Sequence, residues 1–250
     1  MSTRQASAFR DTDTATFPGE SLAASAKSAL RQRAYGHPVA AHPLFSQLAA
    51  GEPTRRQAGA FLRNYDAHAS VLRRLLLSSA TIMPEEAVGY VLENVRNEYG
   101  NGDPDRRHQL QLFDLAEKAG VPASELQSHE VRPGVGRFID GVGAFYAPPE
   151  SSHASPLGRA AIAAGAITAT ELLAVREFEH MQMAFGKLGL ADHIWFDHVV
   201  VEAEHSDESL ALALYFIERH GMTAEVEAGL DGMLALNGEL YDGLASALTA

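Results

Sequence analysis

The sequence predicts an all-α protein folded as a single domain, and three observations carry that prediction. Apolar residues recur at intervals of three and four along several long stretches. No stretch of any length alternates apolar and polar residues as a half-buried strand would. Glycine and proline cluster between the periodic stretches, where they end one helix and open the next. The 250 residues suit one generous domain, and neither an internal repeat nor a composition shift marks a boundary.

Residues 1–18 read as a flexible polar arm, and residues 19–250 as the helical domain. The first helix is expected from Ser21, a plausible N-cap, towards Tyr35, where Gly36-His37-Pro38 interrupts it. A short helix follows His42-Pro43 and ends near Gly51. Pro53-Thr54 opens a long one over 55–79, with Ala58, Phe61, Leu62, Tyr65, Ala69, Leu72 and Leu76 on its buried stripe. Tyr65 and His68 on this helix read as core aromatics with satisfied polar ends, or else as the lining of a cavity.

The next helix is expected over 85–99, and Gly100, Gly102 and Pro104 break the chain after it. Asp103-Pro104 then looks like an N-cap with proline at the first helical position, opening a helix over 104–119. Gly120 and Pro122 close that helix. A connection rich in Gly and Pro leads through a short segment, 134–146. A long Ala-rich helix is expected over 156–188, with Ala161, Gly165 and Ala169 permitting close helix approach. The helix over 194–220 follows, and a last one over 223–248.

Composition narrows the function. Twenty Lys and Arg stand against 32 Asp and Glu, a net charge of −12, which argues against nucleic acid or an anionic membrane as partner. No uninterrupted apolar run has the ~20 residues of a membrane span, and residues 1–20 lack the apolar core of a signal peptide. A cytoplasmic location is the expectation. Cysteine is absent, which removes disulfides, thiolate ligands and cysteine nucleophiles. Any bound metal must rest on carboxylates and the 11 histidines.

One stretch concentrates such groups. His198, Glu202 and His205 stand at i, i+4 and i+7. At about 100° per residue they form a single stripe two turns long, while Glu204 points to the far side. Two imidazoles and a carboxylate suit borderline metals such as iron or zinc. A solvated polar face would instead surround the stripe with Lys and Glu, and here Ile194 and Val201 flank it. Three ligands leave a metal under-coordinated, so other helices should contribute. Glu98 ends an apolar helix, and His108 follows the Gly-rich break, which is too short to carry the two far apart. Glu171 interrupts the neutral run 160–174, where an unpaired carboxylate would be costly. Helix bundles hold paired metals with such inward carboxylates and histidines.

At this point the chain resembles the heme-oxygenase-like diiron oxidases and oxygenases, also called iron-containing redox enzymes. The resemblance rests on Asn97-Glu-Tyr-Gly-Asn-Gly-Asp-Pro-Asp-Arg-Arg-His108, on Gly165-Ala-Ile-Thr-Ala-Thr-Glu171, and on His198-x3-Glu202-x2-His205. It spans roughly 34–214. Where the family usually has Asp in the third motif, this chain has Glu202.

The resemblance implies a seven-helix bundle of heme-oxygenase type, like that of thiaminase-II and pyrroloquinoline-quinone synthase, binding no heme. It also implies two Fe(II) per chain on Glu98, His108, Glu171, His198, Glu202 and His205, with O2 as co-substrate. The substrate is then a small molecule, electrons come from an external donor, and a homodimer is compatible with the sequence. Amine N-oxygenation to a nitroso or nitro product is the favoured reaction. Oxidative C–C cleavage or decarboxylation of an amino or fatty acid is the alternative, and a non-catalytic metal-binding protein a further one. Thiaminase-II chemistry is excluded by the missing cysteine, and His37 and His42 are poor axial heme ligands because proline follows each. Arg176 and Glu177 are candidates for charged groups near the metals, with surface placement as the competing reading.

Overall fold

A computed structural model describes residues 18–126, 131–152 and 154–249, and within its helices it leaves out the side chains of 18–23 and 200–204. The N-terminal arm therefore lies outside the described residues. Ten α-helices follow in order: α1 Pro18–Gly36, α2 Pro43–Ala50, α3 Arg55–Ile82, α4 Val88–Glu98, α5 His108–Lys118, α6 Ala123–Leu126, α7 Pro133–Tyr146, α8 Pro156–Gly186, α9 His198–His220 and α10 Thr223–Ala247. No strand occurs among the described residues. The all-α expectation holds, and the count of ten exceeds seven in part because α2 and α6 are short helices set off by Pro and Gly.

Several helix ends differ from the sequence reading by a few residues, and three starts among them bear on the site or its caps. The first helix opens at Pro18, so Ser21 lies inside it and is no cap. The stretch 104–119 divides into a 3-10 turn, Pro104–Arg106, and α5, which starts at His108. Likewise 194–220 divides into a 3-10 turn, Ile194–Asp197, and α9, which starts at His198. His37, His42 and His193 each cap a turn or helix, with the ring Nδ1 accepting from the backbone N–H two residues on, at 3.1–3.2 Å. A neutral imidazole thus does the work usually given to Ser or Asp. Thr54 and Gln57 form a full capping box at the start of α3.

The core is continuous from α1 to α10, and α8 runs through it. By length and composition α8 could cross a membrane, with a mean hydropathy of 1.3 over its most apolar window. That window is 72% buried inside the fold, so its apolar surface is matched by α2, α9 and α10. The closest crossing uses glycine twice. A Cβ on Gly165 would lie 1.9 Å from the Val226 carbonyl oxygen, and one on Gly229 would lie 1.9 Å from that of Ile162. Backbone therefore meets backbone where α8 crosses α10. This contact fixes α8, and with it Glu171 and Glu177, against the last helix.

Candidate metal centre

Glu98 and His108 are brought together by the turn between α4 and α5. Gly100, Asn101 and Gly102 all have positive φ, and a Cβ on Gly100 would lie 2.1 Å from the Asp103 carbonyl oxygen. Only glycine fits there, and the chain reverses within a few residues. His108 Nδ1 consequently lies 3.1 Å from Glu98 Oε2.

His198 arrives from the other side. The loop before α9 is pinned by His193, whose Nε2 meets Asp114 Oδ2 on α5 at 2.9 Å and whose Nδ1 caps Trp195. The His198 Nδ1–H donates to the Trp195 carbonyl, which leaves the Nε2 lone pair facing inward. Nε2 lies 2.9 Å from His108 Nδ1. Phe178 stacks on the His198 ring at 4.8 Å, with the planes only 7° apart, and Trp195 covers it at 4.6 Å. Both imidazoles are buried.

Glu171 reaches the same region from α8. Asn94 Nδ2 donates to its Oε1 at 2.6 Å, and His205 Nδ1 lies 4.0 Å from its Oε2. The structure thus brings together Glu98, His108 and His198 in one chain of contacts, and Glu171 with His205 in another. The Glu202 side chain lies outside the described residues. Glu98, His108, Glu171 and His198 all line one cavity of about 90 Å³.

The protonation states follow from burial and neighbours. Burial, with the nearby positive charge His108 would carry, outweighs Glu98 and holds the His198 imidazolium down to about 3. Burial raises Glu98, but the His108 hydrogen bond and the charges of His108, Arg73 and His198 outweigh it and hold the carboxyl at about 2. At neutral pH the pair offers a neutral imidazole nitrogen and an ionised carboxylate oxygen, the forms a metal ligand must take.

Among the described residues no three His, Asp or Glu side chains stand arranged around a common point. Their donor atoms hydrogen-bond to one another instead. The spacings nevertheless suit a metal. At bonds of about 2.1 Å, adjacent ligands of an octahedral ion sit about 3 Å apart, and the 2.9 and 3.1 Å contacts here are of that size. A nitrogen and oxygen donor set without sulfur fits iron.

A family model described as "iron-containing redox enzyme" matches residues 59–238. The chain belongs to that family. Among solved structures, it is similar to a CADD-like protein of unknown function from Nostoc punctiforme, at 15% identity with a TM-score of 0.71, covering 92% of this chain and 100% of that one. It is also similar to a domain of unknown function with a heme oxygenase-like fold from Shewanella denitrificans, at 11% identity with a TM-score of 0.64, covering 92% and 93%. These likenesses establish the heme-oxygenase-like fold. No curated protein matches the chain.

Several residues of this iron-containing redox enzyme escape a reading by motif. Asn94, one turn before Glu98 on α4, orients Glu171. His193 positions the loop that carries His198, and its only sequence signal is the Ile-Trp-Phe that follows. Tyr65 and His68 do line the cavity, along with Tyr241 and Asn237 from α10. Of the two charged candidates, Glu177 is buried in that cavity, whereas Arg176 turns away to hydrogen-bond the Ala40 carbonyl.

Proposed function

We propose that this chain is an O2-dependent non-heme diiron oxidase acting on a small nitrogenous metabolite, with N-oxygenation of an amine as the reaction. The observation that carries the reading is the convergence of Glu98, His108 and His198 at 2.9–3.1 Å on the wall of one cavity. Glu98, His108 and His198 would hold iron on one side, and Glu171 and His205 on the other, with Glu202 joining them. Two Fe(II) ions supply electrons and open positions for O2, with an external donor restoring them.

The protein's own share is positioning and exclusion of water. His193 and the Trp195 carbonyl fix the ring of His198, and Asn94 fixes the carboxylate of Glu171. Phe178 and Trp195 close the wall around His198. A cavity of about 90 Å³ is smaller than the ~150 Å³ that admits benzene. It also carries Glu177, Tyr65 and Tyr241, which speaks against a fatty acid and for a short polar molecule.

Anaerobic titration with Fe(II), followed by metal analysis, tests the reading. Two irons per chain are expected, with loss of at least one in His205→Ala. Saturation at one iron, unaltered in that variant, would overturn the dinuclear reading. Iron-dependent O2 uptake stimulated by small amines separates an oxidase from a non-catalytic iron-binding protein.

A further inference from the structure

The cavity wall carries polar groups that the iron chemistry does not use. Glu177, on α8, is 7% exposed and lines this cavity. Its carboxylate is hydrogen-bonded by Tyr65 of α3 and Tyr241 of α10. Among the described residues no Lys or Arg pairs with it, and Arg73, the one cation on the cavity wall, pairs with Asp66 at 3.9 Å. Burial pushes the Glu177 carboxyl up against the pull of the two tyrosines.

Two further groups on the same wall lack partners. Asn237 Nδ2 and Trp195 Nε1 are buried donors without an acceptor, on residues 4% and 2% exposed. A buried carboxylate without a counter-ion and two unpaired N–H groups each cost stability. A purely structural wall would lose nothing by replacing them with apolar groups. Together they describe the complement of a ligand: an acceptor where a cation would sit, and donors where an oxygen would sit.

We propose that these groups form the substrate's seat, with Glu177 receiving a primary ammonium group and Asn237 and Trp195 donating to an oxygen of the same molecule. The proposal rests on the reading of the cavity as an active site. Glu177 follows Glu171 by six residues, about 9 Å along the axis of α8. The ammonium is therefore held as an anchor about one and a half turns of α8 from Glu171, and a different group reacts. Under N-oxygenation the substrate carries two nitrogens, one held as the cation at Glu177 and one presented to the iron.

Trp195 is the chain's single tryptophan and lines the cavity, so its fluorescence reports occupancy directly. The full-length protein is titrated with n-butylammonium, propanolamine, n-butanol and propionate, all of equal heavy-atom count, at constant ionic strength. Both ammonium compounds are expected to bind at least about tenfold tighter than n-butanol, with propionate weakest and propanolamine best. Glu177→Gln, which retains an acceptor for the tyrosines, should abolish the preference for the cation.

Binding of n-butanol as tightly as n-butylammonium to the unmodified protein would overturn the proposal. So would a cation preference that survives in Glu177→Gln. If that variant does not fold, the unmodified series decides alone. A protein that prefers ammonium but binds no Fe(II) would keep the seat and lose the oxidase reading. One that loads iron without the preference would lose the seat only.

Discussion

The crossing of α8 with α10 and the cluster at the ends of α4, α5 and α9 are built in opposite ways. At the crossing, Gly165 and Gly229 contribute by lacking atoms, so that backbone packs on backbone and no polar side chain is involved. At the cluster, half-buried Glu98 and buried His108 and His198 are polar groups drawn together from three separate segments. The first arrangement stabilises the fold and leaves no room for substitution. The second is tolerated by the fold, and its value lies in what it can bind. Stability and function are therefore expected to respond oppositely to mutation in the two regions.

The sharpest break should come at the crossing. Gly165→Ala places a Cβ against the Val226 carbonyl, which neither helix can yield without separating. A loss of about 3 kcal/mol in urea unfolding is expected, the upper end of the usual range for overpacking. A midpoint equal to that of the unmodified protein would show that the helices shift at little cost.

At the cluster the effect should be chiefly on binding. Glu98→Gln keeps the shape and an acceptor for His108 but removes the charge. Fe(II) affinity is expected to fall at least about tenfold, with some loss of stability from the missing charge beside His108. Iron binding that survives intact would remove Glu98 from the ligand set and undo the contrast between the regions.

The smallest effect belongs to the surface, where Arg33 pairs with Asp231 at 2.5 Å with side chains 43% and 46% exposed. The hydrogen bond from Arg33 depresses the Asp231 carboxyl below its ordinary value, against a modest cost of burial. A depressed folded-state value means the contribution is present above the ordinary carboxylate range and lost as pH falls through the lowered one. Solvent screening keeps it under about 1 kcal/mol. Arg33→Ala should thus lower the melting temperature slightly at pH 7, with the effect fading as acid protonates Asp231, and an effect that does not fade with falling pH would rule the pair out as its source.

Much of this could be read along the chain because it depends on local order. Helix spacing, the glycine break after Glu98 and the small residue at Gly165 act over a few residues, and the structure bears them out. The histidine caps are not legible in the sequence, because His193 carries no cap signature and its partner Asp114 is 79 residues away. The starts of α5 and α9 lie later than the sequence predicts because a 3-10 turn and the first turn of an α-helix share similar apolar spacing.

By itself the sequence determined the all-α class, the absence of thiolate chemistry and the single helical stripe through His198 and His205, all properties of composition or of one helix. The tertiary structure decided which buried charges meet. Arg176 and Glu177 are neighbours in sequence, about 100° apart on α8. Nothing local says which one faces the core. Tyr65 and Tyr241 arrive from helices distant in the chain to supply the hydrogen bonds that let Glu177 be buried, while Arg176 finds the Ala40 carbonyl outside the cavity. A buried charge is permitted only where partners converge, and convergence is a property of the packed fold.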